Sequence, residues 1–198
     1  MPPRSSRQVD APLLKALAHP LRIAMLSQLS LYGPATSAQL GRRLGESTGV
    51  TSYHLRELAK HGLIEDDPEH SGGGRERWWR FVPQLLTMRG FSFLRDAETR
   101  GAAEVVLREL EQGRAERFHR WLAEAESFGQ RWMDASQDSM THFRLNAEQL
   151  AAMVGELRAV LDRYLDLAPG EGAEAVEVQI NAFPLRAPEE PAPHLEEA

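Results

Sequence analysis

The chain contains no cysteine among its 198 residues, which removes disulfide frameworks, thiolate metal sites and cysteine nucleophiles together. It has no run of about 18 apolar residues, and no charged start feeds an apolar segment at its N-terminus. Membrane spanning and secretion therefore have no signal, and the expected compartment is the cytoplasm. No internal repeat is present. An overall basic excess is also missing: the formal net charge is -6, which at first speaks against a nucleic-acid partner.

That objection fails once the charge is divided along the chain. Residues 1–90 carry 12 Lys and Arg against 8 Asp and Glu, a net of +4, whereas residues 91–198 carry 11 against 21, a net of -10. The basic excess sits in the half where a polyanion would bind. Hydrophobic residues at 42% and charged residues at 26% fit a globular protein with a packed core.

Residues 1–10 are polar and proline-rich and are expected to form a flexible N-terminus. From Ala11 to Leu29 the apolar positions follow helical spacing, broken at His19-Pro20. Proline is tolerated at the first position of a helix, so the pattern predicts two helices that meet there, the second ending at Gly33-Pro34. Thr36 with Gln39 three residues on is a capping box. It opens a third helix that runs to Gly45, a residue suited to a left-handed C-terminal turn. Ser47 caps a fourth helix that ends at His61-Gly62 and is expected to carry Val50, Leu55 and Leu58 inward. Two helices joined by a few residues that include glycine form a helix-turn-helix. Leu63 to Asp66 and Arg75 to Val82 read as strands around the turn-rich segment Pro68 to Gly74, making a hairpin.

The stretches LKALAHPLRIAML (14–26), TSYHLRELAKHGLIE (51–65) and GGGRERWWRFV (72–82) together resemble the ArsR-type winged helix-turn-helix transcription regulators. The resemblance covers roughly residues 11–83. It implies that Ser47 to His61 is a recognition helix and that the hairpin around Gly72 to Arg77 is a wing. The residues support the same reading. Thr48, Thr51, Ser52 and Arg56 are expected to lie away from the apolar face; Arg56 suits a guanine edge or a phosphate, and the hydroxyls suit the backbone. Tyr53 and His54 match the family motif and join the expected DNA-binding set. Arg75 and Arg77, beside a triple glycine, suit a narrow and electronegative minor groove. Trp79 and Phe81 share a face by alternation and are read as core rather than as base-stacking groups.

ArsR-type regulators are known for metal sensing through cysteines or through acidic and His ligands. Here thiolates are absent, and only Asp138 with His142 has a helical ligand spacing, so no metal and no cofactor is expected. The segment Gly45-Glu46-Ser47-Thr48-Gly49 satisfies the nucleophile-elbow pattern of serine hydrolases. That chemistry needs a buried strand before the serine, whereas a helix is predicted there and Ser47 is explained as a cap. An enzyme is not expected.

Beyond Gln84 the character changes. Asp96 to Asp134 is a charge-laced helical stretch, with a break expected near Gly101 or Gly113. Phe118, Trp121, Leu122, Ala125, Phe128 and Trp132 step along it at three and four residues, a stripe that must bury against something. It is read as the interface of a homodimer, with packing inside one chain or a pocket for a small-molecule effector as the alternatives. Met140 to Leu145 is read as a strand. Asn146 with Gln149 caps a helix through Leu165, and Ala175 to Asn181 alternates as a half-buried strand does.

The expected organisation is thus a flexible N-terminus (1–10), a winged helix-turn-helix domain (11–85), a helical α+β dimerisation or sensing region (86–186) and a disordered tail (187–198). The fold class is mainly α with small β. The expected function is sequence-specific binding of double-stranded DNA by a homodimer, at an inverted-repeat operator and as a repressor. The competing readings are a protein-interaction module that keeps the winged helix without using it on DNA, and a small-molecule-responsive activator.

Overall fold

The computed structural model describes residues 6–70, 76–88, 91–165, 167–168 and 170–186. They divide into two compact units, residues 1–140 and 141–198.

The first unit opens with β1 (Ser6–Gln8), α1 (Ala11–Leu17) and α2 (Pro20–Tyr32). β1 pairs in parallel with β5 (Leu85–Thr87), the Val9 amide donates to the Thr87 carbonyl at 2.9 Å, and Val9 is buried. Residues 6–10 are therefore ordered, which corrects the expectation of a flexible start: their pairing partner lies some 80 residues away in sequence, where no local pattern reveals it. Asp10 caps α1 by accepting from the Leu13 amide at 2.9 Å. The imidazole of His19 caps α2 by accepting from the Leu21 amide at 3.2 Å, with Pro20 at the first position of the helix.

β2 (Ala35–Thr36), α3 (Ser37–Leu44) and α4 (Thr48–Lys60) follow. Thr36 and Gln39 form the reciprocal capping box, and Gly45 closes α3 with φ +69°. β3 (Ile64–Asp66) and β4 (Trp78–Phe81) are antiparallel, and β2 joins β4 on its other edge, in the order β2-β4-β3. Two helices followed by this hairpin make a winged helix-turn-helix, and the whole is mainly α with small sheets. Residues 71–75 and the tail beyond 186 lie outside the described residues.

After a 3-10 turn (Ser92–Leu94), α5 runs unbroken from Ala97 to Phe128. The expected break at Gly101 or Gly113 does not occur. It falls at Gly129, whose φ of +84° ends α5 before α6 (Gln130–Ala135); a single glycine inside a helix costs only about 1 kcal/mol, which long flanking helical segments offset. The start of α5 packs against α1 and α2. Thr99, Ala103 and Val106 are its buried residues, and the two apolar ones share a core with Leu13, Leu14, Met25, Leu40, Leu55, Leu58, Leu63 and Trp79. Each fully buried leucine there contributes about 1.5–3 kcal/mol by leaving water.

In the second unit, α7 (Ala147–Leu165) is the one assigned element among the described residues. Asn146 and Gln149 exchange side-chain to backbone hydrogen bonds at 3.0 and 2.8 Å, the reciprocal cap that their spacing predicts. The expected strands at 140–145 and 175–181 are not formed: both segments carry neither strand nor helix. Period-two alternation provides a face for a strand but no neighbour to pair with.

Gly41 sits where α3 meets the turn into α4. A Cβ there would lie 2.6 Å from the Glu46 carbonyl oxygen, whereas one on Gly49 would meet nothing within 4 Å. Gly41→Ala is expected to lower stability by roughly 1–3 kcal/mol, and Gly49→Ala to raise it by up to about 1 kcal/mol. Urea unfolding midpoints of the two variants check both signs.

Candidate nucleic-acid interface

The site is built on α4, and what fixes α4 is largely polar. The Ser47 hydroxyl accepts from the Val50 amide at 3.3 Å as the N-terminal cap. Thr51 is fully buried and donates to the Ser37 carbonyl of α3 at 2.9 Å, with the Ser47 and Thr48 carbonyls also in reach at 3.2 and 3.1 Å. Leu55 and Leu58 carry the rest of the inner face.

This arrangement corrects the predicted orientation of the helix. Thr51 belongs to the α3–α4 contact, not to the outer face, and Val50, expected inward, is 39% exposed. A buried hydroxyl is satisfied by a backbone carbonyl of the neighbouring helix as well as by water. His54 is likewise buried, so it is not placed to touch a duplex. The residues that do face outward are Thr48, Gly49, Val50, Tyr53, Arg56 and Lys60, with Ser52 half-exposed. Arg56 makes no ion pair among the described residues. Arg42 and Arg43, in the last turn of α3 and exposed, extend this basic surface. Sequence reasoning passed over them, although two adjacent arginines beside a helix-turn-helix are a visible signal for phosphate contact.

His54 lies against the start of α2. Its ring centroid is 4.3 Å from that of His19 and 5.1 Å from that of Tyr53. Its Nδ1 and the Nε of Arg22 are buried without hydrogen-bond partners among the described residues. Burial pushes its pKa below the ordinary 6.5, and His19 and Arg22 push the same way, against Glu46 and Glu57. The neutral imidazole is therefore the form that packs.

The wing departs from expectation in its charges. Arg75 lies outside the described residues. Arg77 is bound in a fork to Asp66, with Nη2 to Oδ2 at 2.7 Å, and its guanidinium lies 4.0 Å over the Trp79 ring. The hydrogen bond from Arg77 holds the Asp66 carboxyl below its usual range. Arg80 pairs with Glu65 across the hairpin at 2.6 Å. These two arginines brace the wing as much as they charge it. At its base, burial pushes the Asp67 carboxyl up, but the Glu69 amide and His70 outweigh this and hold it below its usual range; His70 in turn stacks on Trp78 at 4.7 Å. Trp79 is buried and Phe81 packs against the core, in line with a structural role for both.

Residues 17–67 match the model of a helix-turn-helix domain. Over 63 residues, 31% of this chain, the sequence is 43% identical to the HTH-type transcriptional regulator YgaV of Escherichia coli (strain K12). The matched stretch spans 63% of that relative's length. Among solved structures, a mutant of Lactococcus lactis ZitR in apo form is similar at 14% identity and a TM-score of 0.32, covering 74% of this chain and 83% of that one. The adhesin competence repressor AdcR of Streptococcus pyogenes is similar at 14% identity and a TM-score of 0.28, covering 76% and 81%. At those TM-scores neither structural likeness bears on this chain.

The other predicted sites fall as follows. Ser47 caps α4 and is preceded by the helix α3 rather than by a strand, so the context that a nucleophile elbow requires is missing. Asp138 and His142 are exposed in a segment without helix, which removes the spacing argument for a metal pair, and no group of three metal-ligating side chains occurs among the described residues. Within the α5 and α6 stripe, Phe118, Leu122 and Phe128 are exposed and Trp121, Ala125 and Trp132 half-buried, with Phe118 stacked on Trp121 at 6.1 Å between centroids. No described helix is long and apolar enough to cross a membrane.

Because His54 takes up a proton less readily in the folded state than in the unfolded one, protonation favours unfolding. Stability is expected to hold above pH 6.5 and to fall as the pH drops below it, by at most about 1.4 kcal/mol per pH unit for this one group. His54→Gln should flatten that part of the curve, as read from urea unfolding at a series of pH values.

Proposed function

We propose that this chain is a transcription regulator that binds double-stranded DNA by laying the outer face of α4 in the major groove. The observation that carries this reading is the combination of a helix seated on α3 by a buried hydroxyl with an outer face of Thr48, Val50, Ser52, Tyr53 and Arg56, which forms no ion pair with any described residue. Such a face offers one bidentate donor for guanine, hydroxyls for phosphate or base edges, and an apolar group suited to a thymine methyl. Arg42, Arg43 and Lys60 surround it with positive charge for the phosphates. The match of residues 17–67 to a helix-turn-helix domain and the regulator named among the relatives support it. Arg77 acts first as a brace and, with Arg75, as a backbone contact of the wing. Thr51 and His54 position the helix.

The protein acts on this reading in the cytoplasm as a homodimer on an inverted repeat, since two identical half-sites match two-fold symmetry. The stripe from Phe118 to Trp132 forms part of the contact, because it offers apolar side chains that one chain leaves uncovered. Repression is the outcome expected of occupying an operator. An effector, if the protein has one, is a small molecule rather than a metal bound through cysteine.

Arg56→Ala is expected to weaken specific binding by about 1–3 kcal/mol and to relax preference at one base position. Arg42→Ala should weaken all sequences evenly and lower the salt slope by about one. Binding titrations across salt concentrations, on a sequence selected from genomic fragments, check both; binding that ignores salt and both substitutions would contradict the proposal.

A further inference from the structure

The end of α4 leaves the carbonyls of His61, Gly62 and Leu63 to be satisfied from outside the helix. Gly62, at φ +65°, turns the chain so that its amide donates to the Ala59 carbonyl at 2.9 Å and the Leu63 amide to the Leu58 carbonyl at 3.2 Å, the hydrogen-bond pair of a Schellman cap. The next three carbonyls lie beyond that cap. The Val82 amide, just after β4, donates to the Leu63 carbonyl at 3.1 Å. The Gln84 side chain donates to the Gly62 carbonyl at 3.1 Å, and Arg7 Nη1 to the His61 carbonyl at 2.6 Å.

Arg7 reaches this point from outside the helix-turn-helix. It stands on β1, opposite Leu86 in the parallel pairing with β5, and Gln84 immediately precedes β5. One two-stranded strap therefore carries both side-chain donors. Arg7 is half-buried and forms no ion pair with any described residue; its guanidinium meets the negative end of the α4 dipole.

The hold acts through leverage. Thr51 ties α4 to α3 near its first turn, and His61 lies ten residues further on, about 15 Å along the axis. Leu55 and Leu58 keep the helix on the core without fixing its angle. Pivoting on Thr51 by about 10° would displace Arg56, roughly 7.5 Å along, by about 1.3 Å, enough to take a base contact out of hydrogen-bond range.

We infer that Arg7 is a positioning residue for the outer face of α4: it pins the C-terminal end of the helix and so sets the angle at which Tyr53, Arg56 and Lys60 are presented. The inference rests on the reading of α4 as the DNA-binding helix, and it extends that machinery to β1.

The test uses the full chain and a duplex of the preferred sequence. Arg7→Met keeps the stem and removes the donors. It is expected to weaken the preferred duplex about tenfold and unrelated duplex at most about twofold, with the salt slope unchanged because no phosphate contact is lost. Arg7→Lys keeps a charged donor and should recover most of the lost preference. Amide hydrogen exchange without DNA reads the hold itself: at residues 61–63 it should quicken about tenfold in Arg7→Met while 51–55 keep their protection. Protection lost at 51–55 as well would mark Arg7 as a residue of the fold alone and overturn the inference. Unchanged preference in Arg7→Met, no recovery in Arg7→Lys, or a salt slope lower by about one, the sign of a direct phosphate contact, would also overturn it while leaving α4 as the reading helix. A wild-type chain that binds no duplex would instead overturn the reading of α4, and this inference with it.

Discussion

Everything at the candidate interface depends on how closely α4 is held to α3, and two short contacts set that distance. The Thr51 hydroxyl reaches the Ser37 carbonyl at 2.9 Å, and Gly41 admits the Glu46 carbonyl into space that a Cβ would fill. Both lie between elements only a few residues apart in sequence, so the crossing is set by local contacts and does not depend on the wing. A buried hydroxyl without a partner would cost about 1–3 kcal/mol; satisfied, it gives the crossing a direction that apolar contacts such as Leu40 with Leu55 and Leu58 cannot impose alone. The outer face of α4 then inherits its orientation from the inner one.

That dependence also marks the limit of what the sequence made legible. Caps and breakers act within a few residues, and they were readable: the Thr36 and Gln39 box, Pro20 at the start of α2, Gly45, the Ser47 cap, and the Asn146 and Gln149 exchange. The helix-turn-helix and the hairpin followed from them. Features set by distant partners were not readable. Nothing near Arg7 announces its strand pairing with Leu86, and nothing near Asp66 announces that Arg77 will be held there. Thr51 and Val50 exchanged their expected sides because α4 turns to bring a hydroxyl to Ser37, which periodicity of apolar residues alone cannot foresee. The strands expected in 140–145 and 175–181 are not formed; the alternation at 175–181 reads as a half-buried strand, and alternation alone does not make one.

The two halves differ in how their polar and apolar groups are used. In the first unit polar side chains finish the packing: His54 of α4 lies against His19 at the start of α2, and Asp67 with His70 closes the base of the wing. In the second unit apolar groups remain outside. The charge boundary is a different one from the boundary between the units: residues 1–90 carry +4 and residues 91–198 carry -10, so on the proposed reading the basic excess lies in the stretch that meets DNA.

The central claim is that the outer face of α4 enters a groove of duplex DNA. Since the chain has no cysteine, a thiol introduced by Thr48→Cys is a unique reporter on that face, with Glu171→Cys as its counterpart in the second unit. The account predicts that saturating duplex of the preferred sequence slows alkylation at position 48 by about tenfold or more through loss of access, and leaves position 171 unchanged. A complex that forms fully while position 48 reacts at its free rate would contradict it.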